Sequence, residues 1–175
     1  MIEHTLFVDS RFATVRKSAT EFSILMNGEN TEINQDDHNN VIGTYNDPGE
    51  IFRKVVSVEL TAFTVNTTVN LSADNIEHYL IMNIDELNNR VLSNVPLANH
   101  AFAVIYYKPN ETNIQLIKGY DFDPKIRTFD TPLDSLSRLT FHIHPARAYG
   151  TPETYSLGEN FNGYFTMIFK IKTLV

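Results

Sequence analysis

Two histidines, His142 and His144, lie two residues apart in a segment where apolar and polar residues alternate. If this segment is a β-strand, both imidazoles project from one face, because successive strand residues point to opposite sides of a sheet. A metal site built on such a pair also needs a nearby carboxylate and a third histidine. The next acidic residue is Glu153, no histidine follows His144, and His78 or His100 could join only through the tertiary fold. His142 and His144 are therefore weak metal candidates, and we expect no bound metal.

Other catalytic patterns are equally weak. Carboxylate pairs occur at Asp36 and Asp37, at Asp85 and Glu86, and at Asp121 and Asp123. Acid–base catalysis needs two carboxylates across a cleft in different environments, and nothing in the sequence places these pairs so. The spacing of a calcium loop is absent around the first pair, and the chain has no glycine-rich phosphate loop and no nucleophile elbow. Tyr79, Tyr106 and Tyr107 offer stacking surfaces for sugars, but strand aromatics usually serve packing. We expect no catalytic residues, no cofactor and no enzyme activity.

The composition is that of a globular domain and limits the partners. The chain has 175 residues, of which 42% are hydrophobic and 20% charged, which is enough for one domain with a hydrophobic core. Its net charge of −7 disfavours nucleic-acid binding, which needs clustered Lys and Arg. The lack of cysteine excludes disulfides and thiolate metal ligands. We expect no membrane span, because no apolar run is long enough, and no signal peptide, because the first residues lack its basic and apolar regions.

The elements that would position these residues are strands. The segment 126–144 predicts a strand, a turn at Pro132 to Ser135, and a second strand with Leu139, Phe141 and Ile143 on its apolar face. Segments 20–26, 52–65, 76–84 and 164–174 show the same alternation. The phase shifts near Ala62, which predicts a β-bulge. Segment 100–107 is apolar on both faces, which predicts a central strand.

About eight strands and at most one short helix, near 85–93, predict an all-β fold. Long loops after the first strands and before the last favour a single jelly-roll sandwich of about eight antiparallel strands over a meander. We expect one domain over residues 1–175, with residues 1–19 as a mobile N-terminal arm and residues 29–50 as a long polar loop broken by a short strand near 41–45. The predicted core comprises Phe22, Ile24, Val56, Val58, Leu60, Leu80, Met82, Phe102, Val104, Leu139, Phe141, Ile143, Phe165, Met167 and Phe169.

Six stretches together resemble one group of proteins: Val8–Arg11, Thr20–Leu25, Val55–Leu60, Tyr79–Leu87, Ala101–Ile105 and Phe129–Phe141. In this order they resemble the minor capsid proteins of large eukaryotic DNA viruses, virophages and polinton-like viruses. The nearest resemblance is to the penton, the single jelly-roll protein at the fivefold vertices. The resemblance covers most of the chain, and the Asn- and Asp-rich insertion at 29–50 departs from it.

The resemblance implies a viral structural protein located at the capsid vertex of the virion and assembled in the host cytoplasm or nucleus. It implies a homopentamer that contacts the major capsid protein and other minor capsid proteins. From the basic segment that follows the first strand, Arg11, Arg16 and Lys17 are our candidates for subunit contacts, although a solvated arm fits them as well. Two alternatives stay open: another minor capsid role, as a cement or receptor-binding protein, and a metal-dependent, cupin-like jelly-roll enzyme that uses His142 and His144.

Overall fold

The structure is a computed structural model that describes residues 1–26, 33–35, 41–44, 51–67, 76–87, 96–106, 115–116, 125–147 and 163–175. Its strands are β1 (Ile2–Asp9), β2 (Val15–Arg16), β3 (Glu21–Leu25), β4 (Ile33–Gln35), β5 (Val41–Thr44), β6 (Phe52–Thr67), β7 (Ile76–Ile84), β8 (Ala103–Tyr106), β9 (Gln115–Leu116), β10 (Lys125–Leu136), β11 (Arg138–Arg147) and β12 (Gly163–Thr173). Within these residues the helical elements are three short 3-10 turns, Ser10–Phe12, Asp85–Leu87 and Pro96–His100. None of the helices in this described part is long and apolar enough to cross a membrane.

The strand pairing is that of a single jelly roll, as the sequence predicted. Sheet A has the order β1-β12-β6-β10, and sheet B has the order β2-β3-β11-β7-β8, with every ladder antiparallel. When the short strands β2, β4, β5 and β9 are set aside, the first of eight strands pairs with the last. Likewise the second pairs with the seventh, the third with the sixth and the fourth with the fifth. This is a long hairpin rolled into two sheets, the topology that defines the jelly roll.

The core lies between the two sheets and is centred on aromatic rings. Phe22 on β3 stacks on Phe141 on β11 with centroids 4.9 Å apart, and Phe141 lies 5.9 Å from Phe169 on β12. Because β12 belongs to sheet A and the other two strands to sheet B, these contacts join the two layers. Every predicted core residue is buried except Val56 and Val104, which are half-buried.

Two β-bulges in β6 explain its changing phase. Ile168 faces Ala62 while Phe169 faces Leu60, so Thr61 is an extra residue, and its hydroxyl donates to the Ile168 carbonyl at 3.1 Å. The bulge predicted near Ala62 is thus confirmed. A second register shift lies where Lys172 faces Ser57 and Thr173 faces Val55. Val56 is the extra residue there, and the sequence pattern did not reveal this bulge.

The predicted turn at Pro132 to Ser135 was wrong. β10 runs through this region as a strand of sheet A, and its register shifts between Thr128 and Leu133. Pro132 lies inside that irregular part, where a residue without an N–H group is tolerated. The chain turns instead at Ser137 and enters sheet B as β11. Segment 126–144 therefore supplies one strand to each sheet.

The predicted central strand at 100–107 was also wrong. β8 begins at Ala103 and, among the residues that the structure describes, is an edge strand of sheet B. Its second apolar face is explained by a small outer cluster, in which Ala98 and Ala101 cover Ile81 on β7 and Val104 packs against them. The apolar outer face of β8 is therefore covered by a turn and not by a neighbouring layer of strands.

The first 19 residues, predicted as a mobile arm, belong to the sandwich. β1 pairs with β12 over its whole length, from Ile2 opposite Thr173 to Asp9 opposite Thr166, because Leu6 and Val8 are buried in the core. The predicted loop 29–50 contains the hairpin β4–β5, and the remainder of that loop lies outside the described residues.

Candidate subunit-contact surfaces

Arg11, the first predicted contact residue, lies where β1 leaves sheet A. Its Nε donates to Asp9 Oδ1 at 3.0 Å, and its Nη2 donates to Asp9 Oδ2 at 2.6 Å. The hydrogen bonds to Asp9 raise the pKa of the Arg11 guanidinium above its ordinary value. The guanidinium carbon also lies 3.8 Å from the ring centroid of Tyr164, a cation–π geometry. Half of the Arg11 side chain, 49%, remains accessible to a neighbouring protein.

The residues around Arg11 close one end of sheet A. The Asp9 carboxylate accepts the Arg11 backbone N–H at 3.0 Å and caps the turn Ser10–Phe12. Ser10 is fully buried, and its Oγ accepts the Phe165 N–H at 2.9 Å. The Val8–Arg11 stretch therefore has a structural role in addition to the exposed surface of Arg11.

Arg16 and Lys17, the other two predicted contact residues, lie at the edge of sheet B. Arg16 is an exposed residue of β2 and sits opposite Phe22 in the ladder with β3. Lys17 Nζ donates to Glu21 Oε1 at 2.8 Å and is 74% exposed. An exposed pair of this kind adds little stability, so Lys17 can exchange it for a contact with another chain at low cost. Arg11 lies in the turn Ser10–Phe12 that follows β1 of sheet A, whereas Arg16 and Lys17 lie at the β2 edge of sheet B.

His142 and His144 project from the outer face of sheet B, as the alternation predicted. Their rings are stacked with centroids 6.4 Å apart, and both side chains are half-buried. His142 Nε2 lies 3.2 Å from Asp85 Oδ2, and its Nδ1 lies 3.6 Å from Glu21 Oε1. The two carboxylates thus lie at opposite nitrogens of one imidazole. In the part of the chain that is described, no three His, Cys, Asp or Glu residues form a group able to hold a metal ion.

Glu86 organises the rest of this polar face, a role the sequence analysis missed. β7 ends at Ile84, so Thr140 on β11 extends past the β7 ladder. Glu86 Oε2 accepts the Thr140 backbone N–H at 2.7 Å, while its Oε1 accepts Arg138 Nε at 2.8 Å and the Thr140 hydroxyl at 2.9 Å. The carboxylate replaces a strand partner for β11. The signal in the sequence was an acid placed directly after a strand and facing the Arg-x-Thr pattern of another.

An exposed apolar row crosses the outer face of sheet A. Phe7 on β1 faces Ile168 on β12, which in turn faces Ala62 on β6. Phe7 is 62% exposed, and Ile168 and Ala62 are half-buried. We call these three residues the Phe7 patch. Aromatic residues are enriched in protein–protein interfaces.

A second aromatic surface lies on the outer face of sheet B. Tyr106 at the end of β8 is 76% exposed, and its ring lies 5.7 Å from that of Tyr79, the residue opposite it on β7. Val104 lies two residues before Tyr106 on the same face, where it packs on the cluster of Ile81, Ala98 and Ala101. Tyr79, Val104 and Tyr106 form the Tyr106 patch. Tyrosine is enriched among residues that dominate binding at interfaces.

Comparison with known proteins adds no assignment. No known family model matches the chain, and no curated protein matches it.

Proposed function

We propose that the protein is the penton of an icosahedral virus, a structural protein that forms a homopentamer at the fivefold vertex. The observation that carries the proposal is the single jelly roll whose strands hold the stretches of the sequence resemblance. Val8–Arg11 begins at the end of β1, and the other five stretches fall in order on β3, β6, β7, β8 and β10–β11. The stretches that resemble a penton therefore lie on the elements that build the sandwich. Jelly rolls are a common capsid fold, but fold alone does not give function, so the proposal also needs this ordered resemblance.

In this role the exposed surfaces contact other proteins. One surface of each subunit meets a different surface of the next, as a cyclic pentamer requires. The remaining surface contacts the surrounding major capsid protein and other minor capsid proteins. Arg11, Arg16 and Lys17 are the charged candidates for these contacts, since each keeps an exposed side chain at the margin of a sheet.

The first test is the mass of the purified protein by light scattering. The subunit mass is 20.0 kDa, so five copies give about 100 kDa. The second test is the location of the protein in purified particles, by mass spectrometry and by density at the fivefold vertices. A protein that is monomeric at high concentration and absent from purified particles would refute the proposal. A trimer or hexamer, or specific glycan binding, would favour the cement or receptor-binding role instead.

The enzyme alternative needs a separate test. Metal analysis of the purified protein and the double substitution of His142 and His144 by Ala address it directly. A bound transition metal that this double substitution removes would favour the metal-dependent alternative. We expect no bound ion and no change in assembly.

A further inference from the structure

We propose that a cavity beside the crossover from β10 to β11 binds a small aliphatic carboxylate. The cavity has a volume of about 460 Å³, within the range of about 300–1,000 Å³ that is usual for small-molecule sites. It lies where the chain leaves sheet A at Leu136 and enters sheet B at Arg138. The inference goes beyond the proposed function and does not rest on it, because it concerns a small ligand and not assembly.

The apolar part of the cavity wall is made of three leucines. Leu25 at the end of β3 belongs to sheet B, while Leu133 and Leu136 on β10 belong to sheet A. Leu136 is buried, and the other two side chains are half-buried. An aliphatic group that enters the cavity would cover the accessible surface of these side chains. Removing that apolar surface from water favours binding of a ligand with a hydrocarbon body.

The polar part of the wall offers hydrogen-bond donors. Arg138 donates its Nε to Glu86 Oε1 at 2.8 Å, and 57% of its side chain stays exposed. Among the described residues, the two Nη nitrogens of Arg138 have no hydrogen-bond partner, and neither do the hydroxyls of Ser135 and Ser137. These groups all line the same cavity. A ligand that complements them must therefore bring acceptor oxygens.

Glu86, the carboxylate that lines the cavity, is already engaged within the chain. Its Oε1 accepts from Arg138 and from the Thr140 hydroxyl, and its Oε2 accepts the Thr140 N–H. These bonds offset its charge and hold the guanidinium through Nε, which leaves the pair of Nη nitrogens as a fork. Such a fork matches the two oxygens of a carboxylate in a bidentate pair. Acceptor oxygens and an aliphatic body together define the ligand class, for which hexanoate is a suitable probe.

The test begins with the wild type and three probes of matched design. Hexanoate is titrated into the ¹⁵N-labelled protein at neutral pH, and backbone amide shifts are followed by NMR. We expect one saturable site with a dissociation constant of about 1 mM or below, with shifts centred on Leu25, Leu133 and Ser137. Hexanamide keeps the body without the charge, and acetate keeps the charge without the body. Each should bind about 10-fold more weakly than hexanoate, or worse.

Two variants of Arg138 test the fork, and a third variant is the control. Arg138→Lys keeps a cation beside Glu86 but loses the bidentate geometry, and it should weaken hexanoate binding about 10-fold. Arg138→Gln also loses the charge and should weaken binding further. Lys170→Gln removes a cation that is likewise paired with a glutamate, Glu3 at 3.1 Å, but that lies outside the cavity, so binding should not change. Circular dichroism checks that each variant is folded, and the comparison of probes on the wild type needs no variant.

Four results would overturn the inference. An absence of saturable shifts at the lining residues would exclude the site. Equal affinity for hexanoate and hexanamide would show an apolar cavity that does not recognise a carboxylate. Tighter binding of hexylammonium than of hexanoate would show that the charge of Glu86 dominates the site. Unchanged hexanoate binding in both Arg138 variants would exclude the fork. The mass of the protein and its location in particles test the proposed function separately.

Discussion

Replacing Phe141 with alanine should remove a large part of the folding free energy. Phe141 is fully buried on β11, with strands β3 and β7 on either side, and its ring contacts those of Phe22 and Phe169. Truncating a buried phenylalanine costs about 3–5 kcal/mol, from lost transfer energy and the cavity left behind. The upper half of this range is expected, because contacts to two sheets are lost and a rigid strand pair cannot collapse into the space. A typical domain has only about 5–15 kcal/mol in total.

Equilibrium unfolding in urea measures this loss. With a slope of about 2 kcal/mol per M, a loss of about 4 kcal/mol moves the midpoint down by about 2 M. The matched control is Phe7→Ala, the same chemical change at a residue that is 62% exposed, and its effect should stay within about 0.5 kcal/mol. Phe141→Leu keeps most of the apolar volume and should fall between the two. Melts at two protein concentrations separate folding from self-association, since association also raises apparent stability.

A loss below about 1 kcal/mol for Phe141→Ala would refute the reasoning. It would mean that the ring is not buried between the sheets, or that the sheets move together to fill the space. A change in the urea slope would instead indicate a different unfolded or native state, and the free energies would then not be comparable.

Three further predictions concern the backbone, the polar face and a surface charge. Lys54 has φ of 51°, in the left-handed region that glycine adopts without a steric cost. Lys54→Gly should therefore raise the free energy of unfolding by up to about 1 kcal/mol, while Lys170→Gly inside β12 should lower it. A loss of stability at both positions in thermal melts would contradict this. Glu86→Ala leaves the Thr140 N–H without its acceptor and should cost about 1–3 kcal/mol in urea melts, whereas Asp85→Ala, at a side chain 53% exposed, should cost much less; equal effects would argue against the strand-replacing role of Glu86. The hydrogen bond from Lys170 lowers the pKa of Glu3 below its ordinary 4.5. This pair therefore stabilises the fold above pH 4.5, and its contribution is lost as the pH falls through the lowered pKa. NMR titration should show a higher Glu3 pKa in Lys170→Met, and an unchanged Glu3 pKa would exclude the pair as the cause of the lowering.

The sequence predicted the inward and outward residues of a strand correctly where apolar and polar residues alternate without interruption. The alternation over Arg138–His144 placed both histidines outside and Phe141 inside. Successive residues of a strand face opposite sides of the sheet, so the apolar residues face the core and the polar ones face solvent. The bulge near Ala62 was also visible, since an extra residue flips the inward set. The sites that depend on other segments were not visible. Glu86 lies next to Thr140 only because β7 pairs with β11. The Phe7 patch and the Tyr106 patch likewise form only when neighbouring strands place their residues side by side.

Errors arose where tertiary neighbours override a local signal. Pro132 with Asp134 and Ser135 has the composition of a turn, but pairing with β6 keeps the chain extended, and the irregularity is confined to a register shift. The apolar face of Val104 suggested a central strand, whereas the turn bearing Ala98 and Ala101 covers it. Neither the pairing of β10 nor that covering turn is encoded within a short window of sequence, so only the assembled sandwich reveals them.

The pairing of β1 with β12 also governs how the chain reaches its fold. His4 and Thr173, which share a hydrogen bond of 3.2 Å, are 169 positions apart in the sequence. β12 lies between β1 and β6, so β1 cannot join the rest of sheet A until β12 has been synthesised and inserted. Closing such distant contacts is slow, and until then β1 and β6 present unpaired strand edges on which nascent chains aggregate. Translation rate and chaperone access during the last strand should therefore control the yield of soluble protein more strongly than the stability of the finished sandwich.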